Sequence, residues 1–341
     1  MHVARLYEPL SDGKVRCNLC RRQCTISNGN SGFCKMRVNR DGELHTLTYG
    51  NLSAIESRPI EIKPFFHYHP GSTSLTFSTW SCNFNCAWCQ NYRLSGVSPT
   101  TLPEEHWGPQ QVLDLALYAG DDGICVSFNE PTLLFEFCLD LFPMAKARGL
   151  YCCFVSSGYM TIEALDRLID AGLDGMNVDI KGRQWAYDRY CGGAKVEHIW
   201  ETATYAKHRG VHIEIVCLLV TGVSDDDETI DWLIETHLQM LGADVPIHFT
   251  RYFPARAFTA PPTPLSTLER AYERAKGAKL RYVYLGNVRG HQAENTYCPT
   301  CGAELIVRRG FATVFVNLTQ DNRCPKCGER IPIVGKPRVT K

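Results

Sequence analysis

The sequence lacks any run of about 18 consecutive apolar residues, so no transmembrane helix is expected. It lacks a charge bias. Its 36 Lys and Arg balance 36 Asp and Glu, giving zero formal net charge. A dedicated nucleic-acid binder usually carries a strong basic excess, so that class is disfavoured. No low-complexity tract or fixed-period repeat is present, which argues against a solenoid. The opening residues, MHVARLYEPLSDGK, hold no apolar signal-peptide core, and a cytoplasmic protein is expected. Over 341 residues, 44% hydrophobic and 21% charged composition excludes disordered and fibrous classes. Two domains, or one large barrel with appendages, fit that length.

What the chain has in excess is cysteine, 17 in all. The count is odd, and a chain with this much core needs no disulfide staples. Most of these residues fall in three tight groups: Cys17, Cys20, Cys24 and Cys34; Cys82, Cys86 and Cys89; Cys298, Cys301, Cys324 and Cys327. Clustered, reduced cysteines in a cytosolic protein point to metal rather than to disulfides.

Between the second and third groups, short apolar runs alternate with helical patterns. Strands are expected at Leu75–Trp80, Ile124–Phe128, Tyr151–Val155, Gly175–Ile180, Val211–Leu219, Ile247–Arg251 and Tyr282–Leu285. Thr161 is a plausible N-cap for a helix that Gly172 ends, and Asp225 to Asp227 suit the start of another. Such alternation predicts an α/β fold with a parallel sheet covered by helices. A partial or complete (β/α) barrel is favoured over an open doubly wound sheet, with chemistry at the C-terminal strand ends.

The segment Ser81-Cys82-Asn83-Phe84-Asn85-Cys86-Ala87-Trp88-Cys89-Gln90-Asn91 follows the first of these strands. Its cysteine spacing is C-x3-C-x2-C, with an aromatic before the third cysteine. Three thiolates on one short loop can ligate three irons of a [4Fe–4S] cube. No fourth cysteine is nearby, so one iron keeps an open position. The competing readings are buried free cysteines, or a zinc site completed by His67 or His69.

In these features the chain resembles the radical SAM enzymes. It is most similar to the relatives of pyruvate formate-lyase activating enzyme, and among them to the radical SAM member of the AmmeMemoRadiSam system. The resemblance runs through CNLCRRQC, CNFNCAWCQNY, SFNEPT, VSSGY, VDIKG, HIEIVCLLVTG, HFTRYFP and YVYLGNVRGHQAENTYC. It implies a partial (β/α)6-type barrel over residues 71–289, after a Cys-rich segment 1–70 and before a C-terminal module 290–341. It implies that S-adenosylmethionine chelates the open iron. The reduced cluster then cleaves it to methionine and a 5′-deoxyadenosyl radical. A one-electron reductant of flavodoxin or ferredoxin type is implied too, as is association with Memo-like and AMMECR-like proteins.

The resemblance also implies cofactor-binding residues. Asn129 and Glu130 would meet the methionyl amino group. Ser156 and Ser157 would meet the ribose or carboxylate, Asp179 and Lys181 the methionyl carboxylate, and His248 the adenosine. Each has a plainer reading. Glu130 can simply precede a helix whose first residue is Pro131. Ser156-Ser157-Gly158 can be a turn. Asp179 and Lys181 can form a salt bridge within the barrel, and His248 can be a core histidine. Glu214, on the same strand face as His212, is flagged as a possible substrate contact. The chain departs from the family pattern in three places. Val155 stands where an acidic residue is common, Thr221-Gly222-Val223-Ser224 replaces a Pro-Gly-x-Asn stretch, and the Gly-Gly pair before Asn129 is missing.

The C-terminal four cysteines form two C-x2-C knuckles, each followed by glycine. Four thiolates so arranged read as a zinc ribbon, with strands at Ile306-Val307 and Phe311–Val316. The N-terminal four suit zinc or an auxiliary [4Fe–4S] cluster equally. Cys191, in a loop before Gly192-Gly193, is the one remaining cysteine expected to be exposed. The leading expectation is an enzyme that cleaves S-adenosylmethionine and abstracts hydrogen from a substrate. Its alternatives are an activase that makes a glycyl radical on a partner protein, and a zinc-ribbon interaction module without catalysis.

Overall fold

A computed structural model describes residues 1–97 and 106–340. Six short strands open the chain: β1 (His2–Val3), β2 (Tyr7–Pro9), β3 (Val15–Cys17), β4 (Thr25–Ile26), β5 (Arg37–Arg40) and β6 (Glu43–Thr46). They form two small antiparallel sheets, β2-β3-β4 and β1-β6-β5. The main sheet follows, with β7 (Ala54–Pro59), β8 (Thr73–Ser78), β9 (Gly123–Val126), β10 (Tyr151–Ser156), β11 (Gly175–Ile180), β12 (His212–Leu219), β13 (Ile247–Arg251) and β14 (Val283–Gly286) in sequential order. From β8 to β14 every neighbouring pair is parallel, and β7 lies antiparallel at the edge beside β8.

The parallel order requires crossovers, and helices supply them. They are α2 (Pro109–Ala119), α3 (Phe135–Ala147), α4 (Ile162–Ala171), α5 (Gln184–Tyr190), α6 (Val196–His208), α7 (Asp227–Leu241) and α8 (Leu265–Gly277), after a single turn α1 (Tyr92–Ser95). Thr161 caps α4 by accepting from the Ala164 amide at 3.2 Å, and Asp226 caps α7 by accepting from Thr229 at 2.9 Å. No helix among the described residues is long and apolar enough to cross a membrane.

All seven expected strands are present, although Trp80 and Phe128 lie beyond the strand ends. The sheet has seven parallel strands rather than the six of a (β/α)6 type. The added β7 falls before residue 71, within the stretch assigned to the Cys-rich segment.

Strand alternation sorts the two faces of the sheet. Phe77, Val126, Phe154, Val178, Ile215, Phe249 and Leu285 point outward and are buried in the main core with the helices. The opposite face carries Thr76, Cys125, Asn177, Asp179, Glu214 and His248, a much more polar set. The sheet curls around this polar face. Glu56 and Arg58 of β7, and Asn287 after β14, line one cavity together with the strands between them.

The two flanking regions sit at opposite ends of the sheet. The N-terminal segment joins the C-terminal strand ends: Arg21 N donates to Tyr159 O at 3.1 Å and Thr161 Oγ1 to Asn18 O at 2.9 Å. The C-terminal strands β15 (Thr296–Tyr297), β16 (Glu304–Arg309) and β17 (Ala312–Val316) pack at the other end. There Arg308 donates to Phe66 O at 2.8 Å, and Val334 N to His67 O at 2.8 Å. Their small core, with Leu305, Ile306 and Ile331, includes Tyr282 and Tyr284 at the start of β14.

Candidate active site

The C-terminal strand ends open into a cavity of about 380 Å³. Cys82, Cys86 and Cys89 line it, from the loop that leaves β8. So do Asn129, Glu130, Ser156, Ser157, Asp179 and Lys181. The structure therefore brings together every expected site residue of the barrel except His248.

Local packing fixes the cysteine loop. Phe84 and Trp88 are buried, in aromatic contact with Tyr159 and Tyr190. The Ala87 amide donates to Tyr190 O at 3.0 Å, and the Phe84 amide to Cys82 Sγ at 3.3 Å. Arg256 holds the outer side through Cys86 O at 2.8 Å and Asn85 Oδ1 at 2.7 Å. Burial, and then the nearby Glu130 carboxylate, push the Cys82 thiol well up. Such a thiol is a poor acid by itself and ionises when a metal takes its sulfur. Cys191 is fully buried beside Cys86, not exposed in a loop as expected.

Asn129 and Glu130 have their polar atoms occupied within the protein. Asn129 Nδ2 donates to Thr79 O at 2.9 Å and Ser81 O at 2.6 Å, which ties the β9 loop to the cysteine loop. Glu130 is buried and accepts five hydrogen bonds. These come from Thr132 N and Oγ1, Ser156 Oγ, and Ser157 N and Oγ, at 2.5 to 3.1 Å. A carboxylate offers about four lone-pair sites, so this one is saturated. It joins the end of β9 to the end of β10 and holds both serine hydroxyls. Phe128 adopts φ 68°, a conformation glycine takes freely, at the place where the Gly-Gly pair is missing. The Asn91 carboxamide donates to its carbonyl.

Lys181 is different. It is only partly buried, and its Nζ stands 3.1 Å from Asp179 Oδ2. Burial, the largest single influence, would lower its pKa, but Asp179 together with Cys86, Tyr187 and Cys191 outweighs it and holds the ammonium well above its usual range. Thr250 also lines the cavity, and its Oγ1 is buried without a hydrogen-bond partner among the described residues.

His248 lies below the cavity. Its Nε2 is 2.7 Å from Glu214 Oε2, and His212 Nε2 is 3.0 Å from Oε1. The Phe66 and His67 amides donate to the same carboxylate at 3.0 and 2.7 Å. Burial opposes charge on Glu214, yet the two histidines hold its pKa below the ordinary carboxylate range. Glu214 thus has no free acceptor for a substrate, and His248 is a satisfied interior histidine. His67 donates or accepts at Tyr284 Oη, 2.7 Å away, and His69 stacks on Tyr151, so neither completes a site with the three cysteines. Sequence reasoning missed Thr250, although it shares the inner face with His248 two residues away. It also missed Glu56, Arg58 and Lys63, which precede the first expected strand and carry no periodic signal. Lys63 is 4% exposed; burial lowers its pKa, and its Nζ donates to Pro59 O at 3.2 Å.

The outer cysteine groups differ in geometry. Among the described residues, only Cys298, Cys301, Cys324 and Cys327 gather as a metal-ligating set, all within 4.8 Å of one another. Cys298 and Cys327 sulfurs are 3.5 Å apart, and those of Cys301 and Cys324 are 3.6 Å apart. Cys17, Cys20, Cys24 and Cys34 converge on a separate small cavity next to the cysteine loop.

The sequence profile of the radical SAM superfamily matches residues 78–233, the stretch from the end of β8 into α7. Residues 78–233 carry a radical SAM domain. Such a domain implies an enzyme with a [4Fe–4S] cluster that binds S-adenosylmethionine. Over 336 residues the chain is 38% identical to an uncharacterized protein of Methanocaldococcus jannaschii, covering 98% of this chain and 100% of that one. A biotin synthase of Psychrobacter sp. is 24% identical over 170 residues, 48% of this chain and 46% of that protein. Among solved structures, a domain of a pyruvate-formate lyase-activating enzyme from Bacteroides vulgatus matches at TM-score 0.42 and 15% identity, covering 48% of this chain and 99% of that domain.

Proposed function

We propose that Cys82, Cys86 and Cys89 hold the [4Fe–4S] cluster at the cavity mouth, and that the cavity binds S-adenosylmethionine for hydrogen abstraction from a substrate. One observation carries this reading. The three cysteines line the same cavity as Lys181, Asp179 and Thr250, so a cluster with an open iron and a zwitterionic cofactor would share one polar space. The donor set fits the group: three thiolates leave one iron free. When bound, the reduced cluster supplies one electron to the cofactor, which parts into methionine and a 5′-deoxyadenosyl radical.

This chain's own residues position and shield. Lys181 meets the methionyl carboxylate, with Asp179 fixing its ammonium. Thr250 offers a hydroxyl to the adenosine side in place of His248. Asn129 and Glu130 set the shape of the floor by holding Thr79, Ser81, Ser156 and Ser157, and the ammonium is left to backbone carbonyls of their loop. Glu56, Arg58 and Lys63 line the substrate side. Tyr284, His67 and the Glu214 network fill the lower interior and keep water from entering there. We divide the chain into a Cys-rich segment, the curled sheet as a partial barrel, and a C-terminal module in which zinc holds two knuckles. Association with Memo-like and AMMECR-like proteins rests on sequence resemblance alone.

Anaerobic reconstitution tests the reading. Dithionite and S-adenosylmethionine should give 5′-deoxyadenosine with the wild type. Replacing Cys82, Cys86 and Cys89 with alanine should abolish it. Cofactor cleavage by the triple variant would refute the assignment.

A further inference from the structure

We propose that Cys17, Cys20, Cys24 and Cys34 bind a second [4Fe–4S] cluster, not zinc, and that it relays single electrons to the first. This rests on the cluster assignment above.

The geometry separates the two metals. Zinc binds four thiolates at about 2.3 Å in a tetrahedron, which places the sulfurs roughly 3.8 Å apart. The C-terminal four meet that requirement, with contacts of 3.5 and 3.6 Å. The N-terminal four surround a common cavity but do not gather within 4.8 Å. The central three behave the same way. Thiolates on the corners of a cube are spread by the cube between them, and one ion cannot bridge that spread.

The cavity wall supports a larger, electron-rich group. One sulfur already receives a backbone amide, from Phe33 N to Cys24 Sγ at 3.4 Å. Three more donors on the same wall have no partner among the described residues. They are Arg22 Nη2, Asn83 Nδ2 and Arg37 Nε, all buried. Zinc brings no acceptor atoms of its own, whereas a cluster brings inorganic sulfides. Leu19, Leu133 and Phe33 complete an otherwise apolar lining.

Position assigns the role. Asn83 lines this cavity and follows Cys82, which lines the other. Ser81 Oγ donates to Cys34 O at 2.6 Å, and Arg22 Nε to Asn83 O at 2.5 Å. The loop from Ser27 to Lys35 is largely exposed, so the site lies between the surface and the cavity. With four protein thiolates the cluster has no open iron, which leaves electron transfer as its chemistry. A flavodoxin- or ferredoxin-type reductant gives one electron to it. It then gives one electron to the catalytic cluster and returns to its oxidised state. No bond forms and no proton moves.

The decisive sample is the triple variant Cys82→Ala, Cys86→Ala, Cys89→Ala, because it leaves the N-terminal site intact. After reconstitution with iron and sulfide it should hold about four irons and four sulfides per chain, against about eight of each in the wild type. Its reduced EPR signal should be insensitive to S-adenosylmethionine. Two zinc ions and no iron in that variant would overturn the inference and leave the catalytic assignment standing. A wild type that cleaves no cofactor, beside a variant that still holds about four irons, would overturn the catalytic assignment and with it the relay, and leave the second cluster itself standing. The relay is read from Cys20→Ser, Cys34→Ser. Cofactor cleavage should persist with dithionite, a small reductant, and fall by an order of magnitude or more with reduced flavodoxin. An equal loss with both donors would refute the relay.

Discussion

Replacing Lys181 with methionine keeps the aliphatic stem and removes the charge. In the structure Lys181 Nζ is 3.1 Å from Asp179 Oδ2, in a partly buried position at the end of β11. The proposed partner is the methionyl carboxylate. Truncating one member of a desolvated, hydrogen-bonded charge pair costs about 2–5 kcal/mol, partly because the other charge is left unmatched. At about 1.4 kcal/mol per decade this weakens S-adenosylmethionine at least ten-fold. Asp179 would then stand unpaired and repel the incoming carboxylate, so Lys181→Met should be worse than the double variant Lys181→Met, Asp179→Asn. Neither change touches a cysteine, so iron and sulfide contents should match the wild type. Equilibrium binding to anaerobically reconstituted protein is the assay. Wild-type affinity in Lys181→Met would show that the lysine serves only its salt bridge with Asp179.

Elemental analysis of the full chain should find one zinc, and its chelation should loosen the C-terminal module while leaving the iron of the central cluster in place. The full chain is the right sample, since Arg308 and Val334 anchor that module to Phe66 and His67. Zinc-free, brown protein after loss of the central cysteines and the N-terminal four would refute it. A second expectation concerns acid. His237 is buried, and burial first, then the neighbouring Lys207, lower its pKa to about 4 despite the Val245 carbonyl at 3.0 Å. Below the unfolded value of about 6.5 the unfolded chain takes up a proton that the folded chain refuses, so stability falls by about 1.4 kcal/mol per pH unit down to the folded pKa. His237→Gln should flatten the wild-type decline between these values in urea unfolding, and an unchanged slope would count against a neutral buried imidazole.

The parallel strands were legible because each alternates apolar residues, bound for the helices, with polar or small ones. Ile213-Glu214-Ile215 and Ile247-His248-Phe249 show it plainly. β7 was not legible. Its Glu56 and Arg58 face a cavity rather than a core, and Pro59 ends it, so it carries no apolar rhythm. The β1 to β6 strands have two to four residues each, too short for a period. The cysteine loop was legible from spacing alone. The saturation of Glu130 was not, because three of its five donors belong to Ser156 and Ser157 on the next strand.

Depth along a strand decides what a polar residue on the inner face can do. Glu214, Val216 and Leu218 share that face on β12, as do His248 and Thr250 on β13, with Val216 beside His248 and Leu218 beside Thr250. Two residues shift a side chain by about 6.6 Å. At the lower level Glu214 meets two histidines and two amides, and every acceptor is used. Two inward-facing steps above Glu214, level with Leu218, Thr250 keeps at the cavity a hydroxyl with no partner among the described residues. A buried donor without a partner is costly, so its place at the cavity wall is best explained by a ligand that supplies the acceptor. Alternation identifies both residues as inward. It does not distinguish the level that closes the sheet from the level that lines the cavity, and only the register between β12 and β13 does.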